Sequence, residues 1–384
     1  MTAPTRILAA SILALSLLPA FAAAQAQSLA DSIGLKGGKA IFEATCAGCH
    51  GSHGEGTDPH QAGFTRPETF PDFTGCDQSQ PESTRSWSAV IHDGGPARGF
   101  SPIMPAFRGV LTENEIAEVI AYVRSQCTDP SWPPGELNVP RSILTEKAFA
   151  ESEWVFSTAA NVHGARGVSS ELAYEHRLGA RNQLEVALPL EWQQKPEGGM
   201  HGGIGDTAVG LKHVVYANLN RNLPTWEATG SIFAVQGEVL LPTGREDAGF
   251  GTGQPGFGFF GAFNHLFRRD AFLSLQAGVD LPLHASEAPR AAFLRAAIGK
   301  SHYQSGWGRM WTPMLEFSAN RELVPGATTD WDIVPEFQVT LSRRQHVRLA
   351  VGYMLPVSNA TGRPNQVVAY VLWDWFDGKL REGW

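Results

Sequence analysis

The second half of this chain repeats one pattern about twelve times, and this repetition constrains the fold more than any other feature. From about Ser152 to the C-terminus, apolar and polar residues alternate in segments of about ten residues or longer. A period of two places successive side chains on opposite faces, so each segment is predicted to be a β-strand. The predicted strands are centred near Phe156, Ala173, Ala187, Val209, Val235, Phe260, Ala277, Ala296, Leu315, Phe337, Val351 and Val371.

The connections between these segments alternate in length. Tight turns are predicted at residues 178–181, 267–270 and 342–345. Long Gly-rich loops are predicted at residues 193–203, 243–255 and 319–329. Short turns at one end and long loops at the other are typical of outer-membrane β-barrels, in which the turns face the periplasm. An even number of strands then returns the C-terminus to the end where the first strand begins.

Charged residues recur on one face of these segments and apolar or aromatic residues on the other. This favours an antiparallel transmembrane β-barrel with a polar interior over a soluble β-sandwich, which also alternates. The charges either line an ion path or form a structural salt-bridge network in a narrow lumen. They are Glu171, Glu175, Arg177, Glu185, Lys212, Glu238, Asp280, Arg295, Glu316, Glu336 and Arg348.

The N-terminus is typical of an exported protein. Arg6 precedes an apolar run at residues 7–18, and small residues follow. We expect residues 1–26 to be a secretory signal peptide, cleaved after Ala24 or Ala26. A retained anchor is the alternative, but the run is shorter than the roughly 20 residues that a spanning helix needs. With 30 Lys and Arg against 38 Asp and Glu, and no basic tract, no nucleic-acid partner is expected.

All four cysteines lie in the first third of the chain, and two of them form the sequence Cys46-Ala47-Gly48-Cys49-His50. This is the covalent attachment motif of a c-type haem: two thiols add to the porphyrin vinyl groups and the histidine binds the iron. A redox cysteine pair or half of a zinc site would leave the histidine unexplained and lacks a second cysteine pair. We therefore predict one covalently attached haem c, held by Cys46, Cys49 and His50.

The sixth ligand of the iron is predicted to be Met104. A thioether ligand is typical of electron-transfer cytochromes because it favours the reduced iron. Met104 lies between Pro102 and Pro105, which stiffen an extended loop that can present the sulfur. The rival ligands are His53, His60 and His92, each of which is also interpreted as a surface histidine.

The flanking segments are predicted to be helical. Residues 37–43 lead into the haem motif, and Thr112 and Glu115 are spaced as a capping box that opens a final helix. Together with the glycine-proline stretch at residues 94–96 and the Met104 loop, they resemble a class I cytochrome c domain, an all-α mono-haem fold, over residues 28–128.

This resemblance carries two further implications. Such domains cross their first and last helices at a small residue and an aromatic, for which Gly38, Phe42 and Tyr122 are the candidates. An exported electron-transfer domain also implies a periplasmic electron carrier as partner.

Cys76 and Cys127 remain after the haem takes its pair. In an oxidising compartment, two leftover cysteines in one small domain are expected to form a disulfide. Free thiols are the alternative. A bridge would close a loop of about 50 residues and would stabilise the domain by about 3–4 kcal/mol.

The chain thus divides into a signal peptide, a cytochrome c domain, a Pro-rich linker at residues 129–150 and a barrel at residues 151–384. This plan resembles outer-membrane cytochrome-porin fusions that oxidise extracellular iron(II). It implies an outer-membrane protein, surrounded by lipid, with its cytochrome on the periplasmic side. The barrel alone resembles small-substrate outer-membrane channels.

Three functions are compatible with these features. The first is electron transfer between the periplasm and an external or lumenal donor or acceptor, with iron(II) oxidation as one case. The second is a small-solute channel in which the cytochrome acts as a plug or redox gate. The third, a soluble periplasmic redox protein, would need a catalytic constellation after Trp132, and the histidines there follow no metal-ligand spacing.

Overall fold

The computed structural model describes residues 28–58, 60, 63–67, 70–194, 198–220, 227–304, 308–375 and 381. These residues form a helical N-terminal domain followed by a β-barrel. The predicted signal peptide, residues 1–26, lies outside the described residues. Among the described helices, none has both the length and the apolar character needed to cross a membrane.

In the part of the N-terminal domain that the structure describes, six α-helices surround the predicted haem motif. They are α1 (Leu29–Ser32), α2 (Gly37–Thr45), α3 (Ala47–His50), α4 (Cys76–Ser79), α5 (Thr84–Asp93) and α6 (Glu113–Arg124). Its core lies between α2 and α6, where Ile41, Phe42, Ile116 and Ile120 are buried together. The domain is therefore all-α, as predicted.

Helices α2 and α6 cross at the residues that the sequence predicts. A Cβ atom on Gly38 would lie 1.9 Å from the Glu118 carbonyl oxygen, so the crossing has room only for glycine. The Phe42 and Tyr122 rings lie beside it with their centres 5.2 Å apart. The predicted capping box at Thr112 is also present at the start of α6.

The described residues of the second half form fourteen β-strands. They are β1 (Glu153–Asn161), β2 (Gly167–Leu178), β3 (Asn182–Gln194), β4 (Met200–Ile204), β5 (Thr207–Asn220), β6 (Thr229–Leu241), β7 (Gly256–Leu266), β8 (Ala271–Pro282), β9 (Ala291–Lys300), β10 (His302–Tyr303), β11 (Met310–Glu322), β12 (Asp330–Thr340), β13 (Val347–Pro356) and β14 (Gln366–Asp374). Each of the twelve predicted centres falls on one of these strands; the two others, β4 and β10, are short.

The twelve long strands close into a barrel. Each pairs with its neighbours in an antiparallel arrangement. β9 pairs directly with β11, although the short strand β10 lies between them in the sequence, and β14 pairs with β1. The closing pair runs from Glu153 opposite Asp374 to Asn161 opposite Gln366. A single closed sheet confirms the predicted barrel and excludes the two-sheet sandwich.

The two ends of the barrel differ as predicted. The strand bounds leave short turns at residues 179–181, 267–270 and 341–346, and we call this end the short-turn end. Both ends of the barrel sequence, Glu153 and Asp374, also lie there. At the opposite end, the loop predicted at residues 193–203 contains β4, which pairs with β3 and extends that hairpin beyond the barrel.

The strand faces are chemically distinct. In β11, Met310, Thr312 and Glu316 point inward and are buried, whereas Trp311, Leu315 and Phe317 point outward and are exposed. Exposed outward-facing side chains recur around the barrel at Phe156, Leu211, Val235, Phe257, Phe259, Ile298, Phe337, Val351 and Val371. Since water disfavours such a continuous apolar band, its presence points to a lipid environment.

Candidate haem site and its docking on the barrel

The predicted attachment motif lies at the junction of two helices. Cys46 separates α2 from α3, and α3 carries Cys49 and His50. Both cysteines are half-buried free thiols. Burial raises the pKa of the Cys46 thiol, although the Thr45 hydroxyl, 3.3 Å from its sulfur, opposes this shift. The two thiols and the imidazole therefore lie within one short, ordered segment.

His50 has the features of a metal ligand. Its ring stacks against Phe70 and Phe73, with ring centres 5.1 and 5.2 Å away. Its Nδ1 atom is buried and has no hydrogen-bond partner among the described residues. Burial, and secondarily the charge of Arg66, lowers the pKa of His50 to about 4. The ring is therefore neutral near pH 7, and a neutral imidazole in an apolar pocket fits a haem-iron ligand.

The loop that carries Met104 is fixed by backbone contacts. The Gly95 amide donates to the Met104 carbonyl oxygen at 3.0 Å, and the Phe107 amide donates to the Ile91 carbonyl oxygen at 2.9 Å. A Cβ atom on Gly95 would lie 2.2 Å from the Ser101 carbonyl oxygen. The Met104 loop therefore packs directly on the glycine-rich stretch after α5, and this leaves no room for a side chain at Gly95.

The three rival histidines lie in local surface contacts. Ser52 Oγ lies 3.0 Å from His53 Nδ1, and His53 and His60 are both exposed. His92 Nδ1 lies 2.9 Å from Asp93 Oδ1. None of these histidines is stacked on two aromatic rings as His50 is, so Met104 remains the candidate for the sixth ligand.

A disulfide joins Cys76 to Cys127. It links the start of α4 to the chain that follows α6. The side chain of Gln80 adds a hydrogen bond of 3.1 Å from its Nε2 to the Arg124 carbonyl oxygen. The end of α6 is therefore held on the segment that leads into α5.

A buried ion pair connects the N-terminal domain to the chain that follows it. Arg124 Nη1 lies 2.9 Å from Glu136 Oε1, and Thr84 also donates to this carboxylate from its amide at 3.1 Å. Burial opposes the charge of Glu136, but Arg124 and Thr84 outweigh it and hold the pKa of Glu136 below its ordinary value. The charged form of this carboxylate is therefore the stabilising one.

The domain docks on the short-turn end of the barrel. Arg85, in α5, forms an ion pair of 2.7 Å with Asp270, in the turn before β8, and lies 4.3 Å from the centre of the Tyr303 ring. Arg344, in the turn before β13, donates to the Gly99 carbonyl oxygen at 3.1 Å. Contacts from two separate turns thus fix the orientation of the domain on the barrel.

The connecting segment enters the barrel. Residues 129–150 are predicted as a linker, but residues 137–151 lie largely buried inside the lumen, where their backbone amides bond to inward-facing side chains. Ile143 donates to Glu336 at 3.0 Å, and Thr145 donates to Glu316 at 2.6 Å. We call residues 137–151 the lumen segment.

The lumen segment turns back near the middle of the barrel. Its central residues bond to Glu316 and Glu336, near the midpoints of β11 and β12. On the way back, Ala148 donates to Asn264 at 2.7 Å and Glu151 donates to Gln183 at 2.8 Å, and both of these partners lie near the short-turn end. The segment therefore fills the half of the lumen nearest the N-terminal domain.

Charges stabilise the lumen segment. Arg141 Nη1 lies 2.7 Å from Glu175 and 3.2 Å from Glu153, and its Nη2 lies 2.5 Å from Glu146. Lys147 contacts Glu151 and lies 3.7 Å from Glu153. The inward charges therefore belong, in this half of the lumen, to a salt-bridge network.

The position of the lumen segment inside the barrel is not predicted from the sequence, although the charged residues give one indication of it. Of the inward charges predicted above, the strands offer more carboxylates than cations, and residues 137–151 supply Arg141 and Lys147 together with Glu146 and Glu151. Buried carboxylates need partners, so the two cations are the indication, although the two acidic residues leave the excess of carboxylates unchanged.

Three carboxylates in this network, on Glu146, Glu175 and Glu185, have oxygens within 4.8 Å of one another. Arg141 already pairs with two of them, and Gln236 donates to Glu185 at 3.2 Å. Because a guanidinium occupies the place of a cation, the cluster is a part of the salt-bridge network.

Sequence comparison identifies the N-terminal domain. Residues 35–126 match the family model described as cytochrome c. The chain thus joins a cytochrome c domain to a closed β-barrel, and this family implies a c-type haem. No curated protein matches the chain in sequence.

Several solved outer-membrane structures are similar to the barrel half. A KdgM porin is 9% identical, with 58% of this chain and 99% of that chain covered and a TM-score of 0.36. The COG4313 outer membrane channel from Pseudomonas putida F1 is 12% identical, with 62% and 100% covered and a TM-score of 0.37. TM-scores this low carry no argument by themselves. The barrel is instead identified by its strand pairing and its apolar outer surface.

Proposed function

We propose that this protein is an outer-membrane electron-transfer cytochrome, exported by its signal peptide and carrying one covalently bound haem c. It exchanges electrons between a periplasmic carrier and an external or lumenal donor or acceptor. The observation that carries this proposal is the position of the haem motif, in a cytochrome c domain that is docked on one mouth of a closed barrel.

The residues of the domain fit this role. Cys46 and Cys49 attach the porphyrin, while His50 and Met104 bind the iron. When bound, the haem supplies a one-electron carrier. The neutral imidazole of His50 offers a lone pair at physiological pH, and the glycine contacts at Gly95 hold the Met104 loop in one conformation.

The outer surface supports insertion into a lipid bilayer. Besides the apolar band, an aromatic cluster lies on the outside at the short-turn end. The Trp154 and Tyr174 ring centres are 4.7 Å apart, and the Tyr174 and Trp375 ring centres are 5.1 Å apart. Aromatic girdles at this level are typical of outer-membrane barrels, where their amphipathic rings lie at the boundary between lipid and water.

The unequal ends support a periplasmic cytochrome. Outer-membrane barrels have short turns on the periplasmic side and long loops outside. The cytochrome domain here contacts the short turns through Arg85 and Arg344. In this orientation the domain meets soluble electron carriers in the periplasm, and the far end of the lumen opens to the exterior.

The position of the lumen segment argues against the alternative function, a solute channel. A wide path through the barrel would require residues 137–151 to leave, which would break the contacts of Arg141 and remove from Glu153 and Glu175 the cations that the segment supplies. By contrast, Glu171 and Asp280 face inward beyond the segment and are exposed, so water reaches the outer half of the lumen. A small external donor can therefore approach as far as the middle of the barrel.

The test uses the full-length protein in sealed liposomes, with its orientation fixed by protease access to the cytochrome domain. A small reductant such as iron(II), added on the side of the long loops, is expected to reduce the haem, and an oxidised carrier on the other side reoxidises it. The matched control is His50→Ala, which is expected to lack the haem signal. Absence of any haem redox change with donors on either side would overturn the proposal. Solute flux that depends on the oxidation state of the haem would favour the channel instead.

A further inference from the structure

The barrel touches the loop that carries the predicted sixth ligand of the iron. Arg344 lies in the turn between β12 and β13. Its Nη2 donates to the Gly99 carbonyl oxygen at 3.1 Å, and its guanidinium carbon lies 4.4 Å from the centre of the Phe100 ring. Both contacts fall within five residues of Met104 in the sequence.

A second arginine makes the reciprocal contact. Arg98, from the cytochrome domain, donates from Nη1 to the Arg343 carbonyl oxygen at 3.4 Å, and its side chain is buried. The turn of the barrel and residues 98–100 of the domain thus contact each other through two arginines. Arg98 of the domain bonds to the turn, and Arg344 of the turn bonds to the domain.

Hydrogen bonds connect this contact to Met104. The Phe100 amide donates to the Gly95 carbonyl oxygen at 2.9 Å, and the Gly95 amide donates to the Met104 carbonyl oxygen at 3.0 Å. A Cβ atom on Gly95 would lie 2.2 Å from the Ser101 carbonyl oxygen, so the backbone of Gly95 packs closely on the Met104 loop. Phe100 is thus connected to the backbone of Met104 through two hydrogen bonds of Gly95.

We propose that Arg344 is a positioning residue for Met104, through which the barrel holds the loop closed and stabilises thioether ligation of the iron. A guanidinium stacked on an aromatic ring and bonded to a backbone carbonyl restrains both groups at once. Because a thioether favours reduced iron, the same contact raises the reduction potential of the docked domain. This inference rests on the proposed role of Met104.

The experiment titrates the ferric full-length protein in detergent with imidazole, which competes with the thioether for the iron. For Arg344→Ala we expect imidazole to bind about five- to tenfold more tightly, as the loss of a cation–π contact and a hydrogen bond implies. The sulfur-to-iron charge-transfer band should weaken and the reduction potential should fall. The conservative variant Arg344→Lys should recover part of each change.

The matched control is Arg343→Ala, which removes the same charge from the adjacent, exposed side chain. It should behave as the wild type. Equal shifts in Arg343→Ala and Arg344→Ala would overturn the inference, because they would show an effect of net charge alone. Unchanged imidazole affinity in Arg344→Ala would also overturn it.

A second variant removes the same ring contact from the side of the cytochrome domain, so the test does not depend on the folding of Arg344→Ala alone. Phe100→Leu removes the ring but keeps an apolar side chain and the hydrogen bond from Arg344 to Gly99, so it should tighten imidazole binding by less than Arg344→Ala. Combining it with Arg344→Ala should add little, because both changes remove one shared contact. Fully additive effects would contradict the proposed contact. A wild-type protein without the sulfur band would overturn the role of Met104 as well as this inference.

Discussion

Arg141 and Glu175 meet inside the barrel, with Nη1 of the guanidinium 2.7 Å from Oε1 of the carboxylate. Arg141 belongs to the segment that follows the cytochrome domain, and Glu175 belongs to the barrel wall. This pair, with Glu153 beside it, fastens the connection between the two domains within the lumen. The half of the lumen nearest the cytochrome domain is consequently filled by the chain itself.

Replacing Arg141 with alanine should destabilise the barrel and increase ion conductance. The substitution leaves Glu175 without its guanidinium partner, while Glu153 keeps only Lys147 at 3.7 Å. Breaking a buried pair in this way costs about 3–5 kcal/mol. Unfolding in denaturant and conductance in planar bilayers measure the two effects. Arg321→Ala, at an exposed position near the end of β11, is the matched control and should change neither. Wild-type conductance in Arg141→Ala would show that Arg141 is not required to hold the segment in the lumen.

Replacing Gly38 with alanine should destabilise the cytochrome domain. The added methyl group would lie 1.9 Å from the Glu118 carbonyl oxygen, so α2 and α6 must move apart. Overpacking of this kind costs about 1–3 kcal/mol. Gly63→Ala, whose new Cβ would meet no atom within 4 Å, is the control. The denaturation midpoint of the domain, followed by circular dichroism, should fall only in the first variant; equal midpoints would refute the close crossing.

The attachment of the cytochrome domain to the lumen segment should weaken in acid. The pKa of Glu136 lies below its ordinary value, so this carboxylate stabilises the fold above the pKa of the unfolded chain and loses that effect as the pH falls through the folded value. Glu136→Gln should lower stability at pH 7 and flatten the dependence on pH below about 4.5. Unfolding free energies measured from pH 3 to pH 7 would show this, and an unchanged acid profile would contradict it.

The bridge between Cys76 and Cys127 should resist alkylation until a reductant is added. Mass spectrometry of the denatured protein, with and without reductant, distinguishes the two states. Cys76→Ser should lower the stability of the domain by about 3–4 kcal/mol, since the bridge closes a long loop. Labelling of both residues without reductant would reject the bridge.

The sequence predicts much of this molecule because its main signals are local. Strand alternation identifies all twelve long strands, and the haem motif predicts Cys46, Cys49 and His50 as a set within five consecutive residues. The crossing at Gly38 follows from the resemblance to cytochrome c domains. These features depend on neighbouring residues or on the known geometry of one family.

The lumen segment and the docking contacts are not predictable in the same way. Residues 137–151 have the composition of a linker, and their conformation is set by partners such as Glu316 and Glu336, far away in the sequence. Arg344 likewise has no local feature that distinguishes it from Arg343. Only the closed barrel brings these residues together.

The most direct test of the central claim is the visible absorption spectrum of a washed outer-membrane fraction that contains this protein. We expect a low-spin c-type haem spectrum with a weak sulfur-to-iron band, and loss of that band with retention of the haem in Met104→Ala. A colourless membrane fraction, or a haem signal found only in the soluble fraction, would contradict the proposal that a membrane-embedded barrel carries a cytochrome c.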